Sequence, residues 1–276
     1  MGEQTTITTA DGSFSAYVAR PAQAPAAAVV VIQEIFGVNQ VMREITDGLA
    51  GQGFLAICPD LFWRIEPGIE LTDHTEAEWQ RAFGLFKAFD VDAGVKDIAA
   101  TVSAIRTDPG CTGKVGAVGF CLGGLLAYLT AARTDVAAAV AYYGVGVDGR
   151  LAEAATLSRP LLMHIAEDDG FVPKEAQAKI IEALSPNKQV EIHTYPGRDH
   201  AFASFTVSSE DAPAVAGFES GLFLSLRTGW PCRDSMTARR PHAAGILAWL
   251  SRKCVSLEEP VHWQCLMRGV QNPDRW

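Results

Sequence analysis

Residues 26–32, AAAVVVI, are apolar at every position over the length of one strand. A strand apolar on both faces belongs inside a sheet that is covered on both sides, and such sheets are mostly parallel. Residues 54–58 (FLAIC), 114–118 (KVGAV), 136–143 (VAAAVAYY), 160–166 (PLLMHIA) and 189–195 (QVEIHTY) behave similarly. Helical periods fill the intervals at 39–52, 76–88, 93–105, 122–132 and 174–184. At the front, the alternating segments 5–9 and 13–19 flank ADG, a hairpin signal. A hairpin followed by alternating strands and helices predicts an α/β fold, with helices on both faces of a twisted, mostly parallel sheet.

A chain of 276 residues suits one such domain with an elaborated end. With 48% hydrophobic and 20% charged residues it is too apolar for a disordered chain. The net charge of -9, without a dense Lys/Arg block, argues against nucleic acid or an anionic membrane as partner. The N-terminus has early acid and no apolar core, unlike a signal peptide, and the longest apolar run, 136–143, is too short to span a bilayer. Six cysteines (58, 111, 121, 232, 254 and 265) lack CxxC pairs or histidines at zinc spacing, which speaks against a disulfide framework and a metal site. The expectation is a cytoplasmic protein acting on a small molecule, with no cofactor and no metal.

Open parallel sheets bind ligands at the carboxyl ends of their strands, so the strand ends carry the information. In VGAVGFCLGGLLAYL, residues 115–129, Cys121 stands between glycines where a strand gives way to a helix. That is the setting of a nucleophile elbow, although a buried structural thiol is the plain alternative. A nucleophile needs an orienting acid and a base, in that chain order for this kind of fold. Asp168 and Asp169 follow the strand at 160–166, and His200 follows the strand at 189–195. Either aspartate could instead cap a turn. His164 and His193 lie inside strands and suit packing, and His74, His242 and His262 look exposed. Glu34 ends an apolar strand, where desolvation raises a carboxyl pKa and makes it a usable base.

The chain resembles the dienelactone hydrolase family of α/β-hydrolases. The resemblance rests on QEIFGVNQVMREITDGLAGQGFLAICPDLF (33–62), AFDVDAGVKDI (88–98), GKVGAVGFCLGG (113–124), AYYGVG (141–146), DDGFVP (168–173) and YPGRDHAF (195–202), in family order. It implies an α/β-hydrolase fold, Cys121 as nucleophile, His200 as base and Asp169 as its orienter, with Asp168 as fallback. Glu34 matches the glutamate that holds the resting thiol and accepts its proton. The backbone N–H groups of Ile35 and Leu122 form the oxyanion hole, and Phe36, Trp79, Phe83, Phe86 and Tyr142 line the substrate pocket by correspondence.

The family's namesake activity uses two arginines to hold a substrate carboxylate, and neither is in register. Trp79 takes the first position, with Arg81 two residues, about 200° of helix, further round, and Ser204 takes the second. The sequence therefore predicts an esterase or lactonase for neutral, hydrophobic substrates. Neutral phosphotriesters at the same Cys/His/Asp site form an alternative. A non-catalytic binding protein of the same fold is another, disfavoured because all three triad members and Glu34 survive. The quoted blocks lie within residues 1–203, read as the hydrolase core; residues 204–276 read as a divergent extension with a helix at 242–253 (HAAGILAWLSRK).

Overall fold

The computed structural model describes residues 2–203, and the extension with its helix at 242–253 lies outside the described residues. Eight strands form one sheet in the order β1-β2-β4-β3-β5-β6-β7-β8. The hairpin β1 (Glu3–Thr9) and β2 (Gly12–Ala19) is antiparallel, and β2 runs antiparallel to β4 (Leu55–Pro59). From β4 onward, β3 (Ala26–Ile32), β5 (Cys111–Phe120), β6 (Ala139–Tyr142), β7 (Leu161–Ala166) and β8 (Val190–Tyr195) are parallel.

The pleat of β3 explains its uninterrupted apolarity. Ala28, Val30 and Ile32 enter one core layer, while Val29 and Val31 enter the layer on the opposite face, all with no exposed surface. Burying each valine or isoleucine stabilises the fold by about 1.5–3 kcal/mol, so a polar residue at any of these positions would be costly. Helix α1 (Gln40–Gly51) covers one face through Met42, Ile45 and Leu49. Helices α2 (Glu76–Ala88), α3 (Val91–Arg106), α4 (Leu122–Arg133) and α5 (Lys174–Leu184) pack on the other.

Side chains set where the helices start. Asn39 Oδ1 accepts from the Met42 N–H at α1, Thr75 Oγ1 from the Glu78 N–H at α2, and Asp90 Oδ1 from the N–H groups of Asp92 and Ala93 at α3. Within the described residues the predicted elements occur, but β5 extends beyond 114–118 at both ends and β6 keeps only Ala139–Tyr142 of 136–143. Hydrogen bonding to neighbouring strands decides those limits, and apolarity alone does not report it. A 3-10 segment, Val147–Ala155, was not foreseen. No helix among the described residues is long and apolar enough to cross a membrane.

Candidate active site

β5 runs directly into α4, and the joint is Cys121, with φ 56° and ψ −114°. A non-glycine residue there carries strain of about 1–3 kcal/mol, and the surrounding backbone holds it in place. The Cys121 N–H donates to Tyr142 O (3.1 Å), and Cys121 O accepts from the N–H groups of Gly124 (3.0 Å) and Val145 (3.3 Å). Flanking glycines are sterically required: a Cβ on Gly119 would collide with Gly123 O, and one on Gly123 with Ile32 O. The sharp strand-to-helix bend is therefore possible only because the helix backbone can press against β3 and β5.

Burial, and after it the charges of Glu34 and Asp169, push the Cys121 thiol well above its ordinary range, against the pull of the Leu122 N–H. That direction favours the thiol over the thiolate. Glu34 stands two residues past the end of β3, and burial raises its carboxyl to about 7. His200 and the Tyr143 hydroxyl oppose that rise, while Asp73 adds to it. Cys121 and Glu34 both keep some accessible surface, as groups lining a pocket do.

His200 and Asp169 arrive from the loops after β8 and β7. His200 Nδ1 lies 2.9 Å from Asp169 Oδ2 and 3.0 Å from Oδ1. Asp169 is 6% exposed, and its Oδ1 also accepts from the N–H groups of Phe171 (2.8 Å) and Val172 (3.1 Å). Asp168, the fallback acid, instead points to solvent and pairs with Lys174 at 3.3 Å. Asp199 Oδ1 ties the two loops together, accepting from the N–H groups of His200 (2.6 Å) and Gly170 (3.1 Å). Among the described residues no hydrogen bond joins the Cys121 sulfur to the His200 ring. The sulfur instead lies near Glu34 and the Leu122 N–H. Neither the Leu122 nor the Ile35 N–H donates to a backbone carbonyl among the described residues.

An aromatic wall leads up to the histidine. Phe36 meets Trp79 edge-on (5.0 Å), Trp79 meets Phe83 (5.5 Å) and Phe171 (6.4 Å), and Phe171 meets the His200 ring edge-on at 4.8 Å. Phe36, Trp79 and Phe83 thus form one ring cluster with Phe171, beside His200. Phe86 packs on the same core layer but makes no ring contact with this wall among the described residues. Arg81 turns to Glu66 (2.5 Å), while Trp79, at the position of the first expected arginine, belongs to the wall. Among the described residues no group of three or more His, Cys, Asp and Glu could hold a metal ion.

Tyr142 is a correction. Expected in the pocket, it is fully buried, its ring stacked between Phe120 (5.2 Å) and His164 (4.2 Å). Strand geometry commits Tyr142 to the core, and the chain then turns so that Tyr143, at φ 38°, faces the site instead, edge-on to His200 at 4.8 Å. Sequence reasoning missed Tyr143 and Phe171 as site residues; the signal was an aromatic directly after a strand for Tyr143 and an aromatic two residues after Asp169 for Phe171. His164 serves packing as expected: buried, and with Nδ1 2.8 Å from the Tyr195 hydroxyl, it is kept neutral, its pKa lowered by desolvation to about 3.

A mostly parallel sheet with a strained residue at the β5–α4 bend and a His–Asp pair from later strand ends defines an α/β-hydrolase. Residues 14–218 match the model of the dienelactone hydrolase family, running past residue 203, where the sequence reading ended the hydrolase core. The chain is 54% identical over 197 residues to an Azospirillum brasilense protein, covering 70% of this chain and 84% of that one. It is 42% identical over 215 residues to the carboxymethylenebutenolidase of Pseudomonas putida, covering 78% and 91%. A crystal structure from Klebsiella pneumoniae, 27% identical, superposes with a TM-score of 0.70 over 83% of this chain and 99% of that one. The chain belongs to the dienelactone hydrolase family and is a hydrolase of the class that acts on ester and lactone bonds.

Proposed function

We propose that this hydrolase cleaves neutral, hydrophobic esters or lactones through an acyl-thiol intermediate on Cys121. The observation that carries the reading is the juxtaposition of an aromatic wall with the His200–Asp169 pair, where the family's carboxylate-binding arginine is replaced by Trp79 and Arg81 is occupied by Glu66. A substrate carboxylate here would be desolvated without its usual partner, which is costly.

The chemistry follows from the charges. Glu34, titrating near neutrality, takes the thiol proton as substrate fills the pocket and hands it to His200. The thiolate attacks the carbonyl carbon, and the N–H groups of Leu122 and Ile35 hold the developing oxyanion. Collapse breaks the carbon–oxygen bond, and the leaving oxygen takes the proton from the His200 imidazolium. Water then gives a proton to His200 and attacks the thioester; the acid leaves and the sulfur regains its proton. Asp169 fixes the imidazole through Nδ1 and stabilises its charged form throughout.

A panel of neutral aryl esters, lactones and their carboxylated analogues, run on the parent and on Cys121→Ala, tests the proposal. Turnover of the neutral compounds should exceed that of the anions by at least about tenfold in kcat/KM and vanish in the variant. A preference for the anion, or activity that survives loss of the sulfur, overturns it.

A further inference from the structure

Tyr143 lies in the site without a role in the reaction as derived. Its side chain is 2% exposed, and its hydroxyl has no hydrogen-bond partner of standard geometry among the described residues. Its backbone sits at φ 38°, in the left-handed region that bulky side chains avoid. Two unfavourable features thus coincide on one residue. Strain and an unmet buried donor together mark a group held ready for a partner rather than one placed for packing.

The surroundings identify that partner. The Tyr143 ring meets the His200 ring edge-on at 4.8 Å and Phe202 at 5.5 Å, so its position across the site is fixed. The charges that act on its hydroxyl are, in order, those of Glu34, Cys121, Tyr142 and Asp169. Asp169 is already committed to His200 and to the N–H groups of Phe171 and Val172. Glu34 is the charge that acts most strongly on the hydroxyl, and the hydroxyl in turn favours the ionised form of Glu34.

We infer that Tyr143 is a positioning residue, whose hydroxyl donates to the Glu34 carboxylate and holds it ionised and aimed at the Cys121 thiol. The inference rests on the thiol mechanism proposed above. His200 supports Glu34 ionisation from the loop after β8, while Asp73, from the segment before α2, opposes it. The phenol O–H stays intact: it tightens onto the carboxylate when Glu34 is charged and relaxes when Glu34 carries the thiol's proton. No bond to Tyr143 forms or breaks.

The experiment is the pH profile of kcat/KM for parent, Tyr143→Phe, Glu34→Gln and the double variant, with a neutral aryl ester. Without the hydroxyl Glu34 ionises less readily, so the acidic limb of Tyr143→Phe should move to higher pH by about one unit, the equivalent of one hydrogen bond to a charged acceptor. Activity should return at alkaline pH, and the phenylalanine should have no further effect on the limb when Glu34 is already Gln. Infrared titration of the carboxyl band that disappears in Glu34→Gln reads the same shift without turnover, and so covers a poorly active Tyr143→Phe protein. A uniform loss at every pH with an unmoved limb and an unmoved carboxyl band overturns the inference. Activity retained by Cys121→Ala would instead remove the mechanism beneath it, which is a separate outcome.

Discussion

Nδ1 of His200 stands 2.9 Å from Oδ2 of Asp169, although the two residues leave different strands and are separated by 31 positions in the chain. The aspartate is almost fully enclosed and the imidazole nearly so, with side-chain exposures of 1% and 12%. With Nδ1 facing a carboxylate, Nε2 is left for the chemistry. That tautomer suits a base which takes a proton from the substrate side and returns it to a leaving group.

Replacing Asp169 by Asn should therefore lower kcat by about 10²–10⁴-fold while leaving the fold intact, because the amide favours the wrong tautomer. Asp168→Asn, at an exposed carboxylate beside Lys174, should change kcat by less than about twofold. Steady-state kinetics of both variants decides the assignment, and equal losses would contradict it.

Phe171 is 44% exposed yet touches both Trp79 and His200. Truncation to Ala removes one ring contact from a bound aryl group, worth about 0.5–1.5 kcal/mol. KM for aryl esters should rise severalfold, with kcat and the KM of small alkyl esters little altered. An equal effect on both ester types would show that the ring does not contact the substrate.

The elbow leaves no room for side chains. Gly123→Ala places a Cβ against Ile32 O, a backbone atom that cannot step aside without moving β3. Overpacking of this kind costs about 1–3 kcal/mol or more. Thermal unfolding should show a clear drop in midpoint, whereas Gly149→Ala, where a Cβ meets nothing within 4 Å, should not.

Glu34 gives a pH signature in stability. Its folded pKa is raised from 4.5 to about 7 by burial, so between those values the folded chain holds a proton that the unfolded chain has released. Stability linked to this group is present below about pH 4.5 and is lost as pH rises through 7. Glu34→Gln removes that slope and should be the more stable protein by about 1–3 kcal/mol at pH 8, with little difference at pH 4. Denaturant midpoints at the two pH values measure it.

The sequence was most informative where a single physical demand fills consecutive positions. Strand β3 has to be apolar on both faces, and its residues say so; the glycines around Cys121 have to lack a Cβ, and GFCLGG says so. The chain order of the proposed triad was legible for a related reason, since Cys121, Asp169 and His200 each follow a strand end. The choice between Asp168 and Asp169 was not visible in local chemistry, because both are acids at one turn. It came from the resemblance, and in the structure only Asp169 reaches His200.

By itself, then, the chain determined the α/β sheet, the bend at Cys121 and the family, because burial and steric exclusion act position by position along the backbone. Tertiary structure alone decided that Tyr143 and not Tyr142 faces the site, that Phe171 joins the aromatic wall, and that Arg81 spends its charge on Glu66. Each of those outcomes depends on the direction of a side chain relative to residues distant in sequence. A one-residue step at a strand end reverses that direction, and residue type carries no record of it.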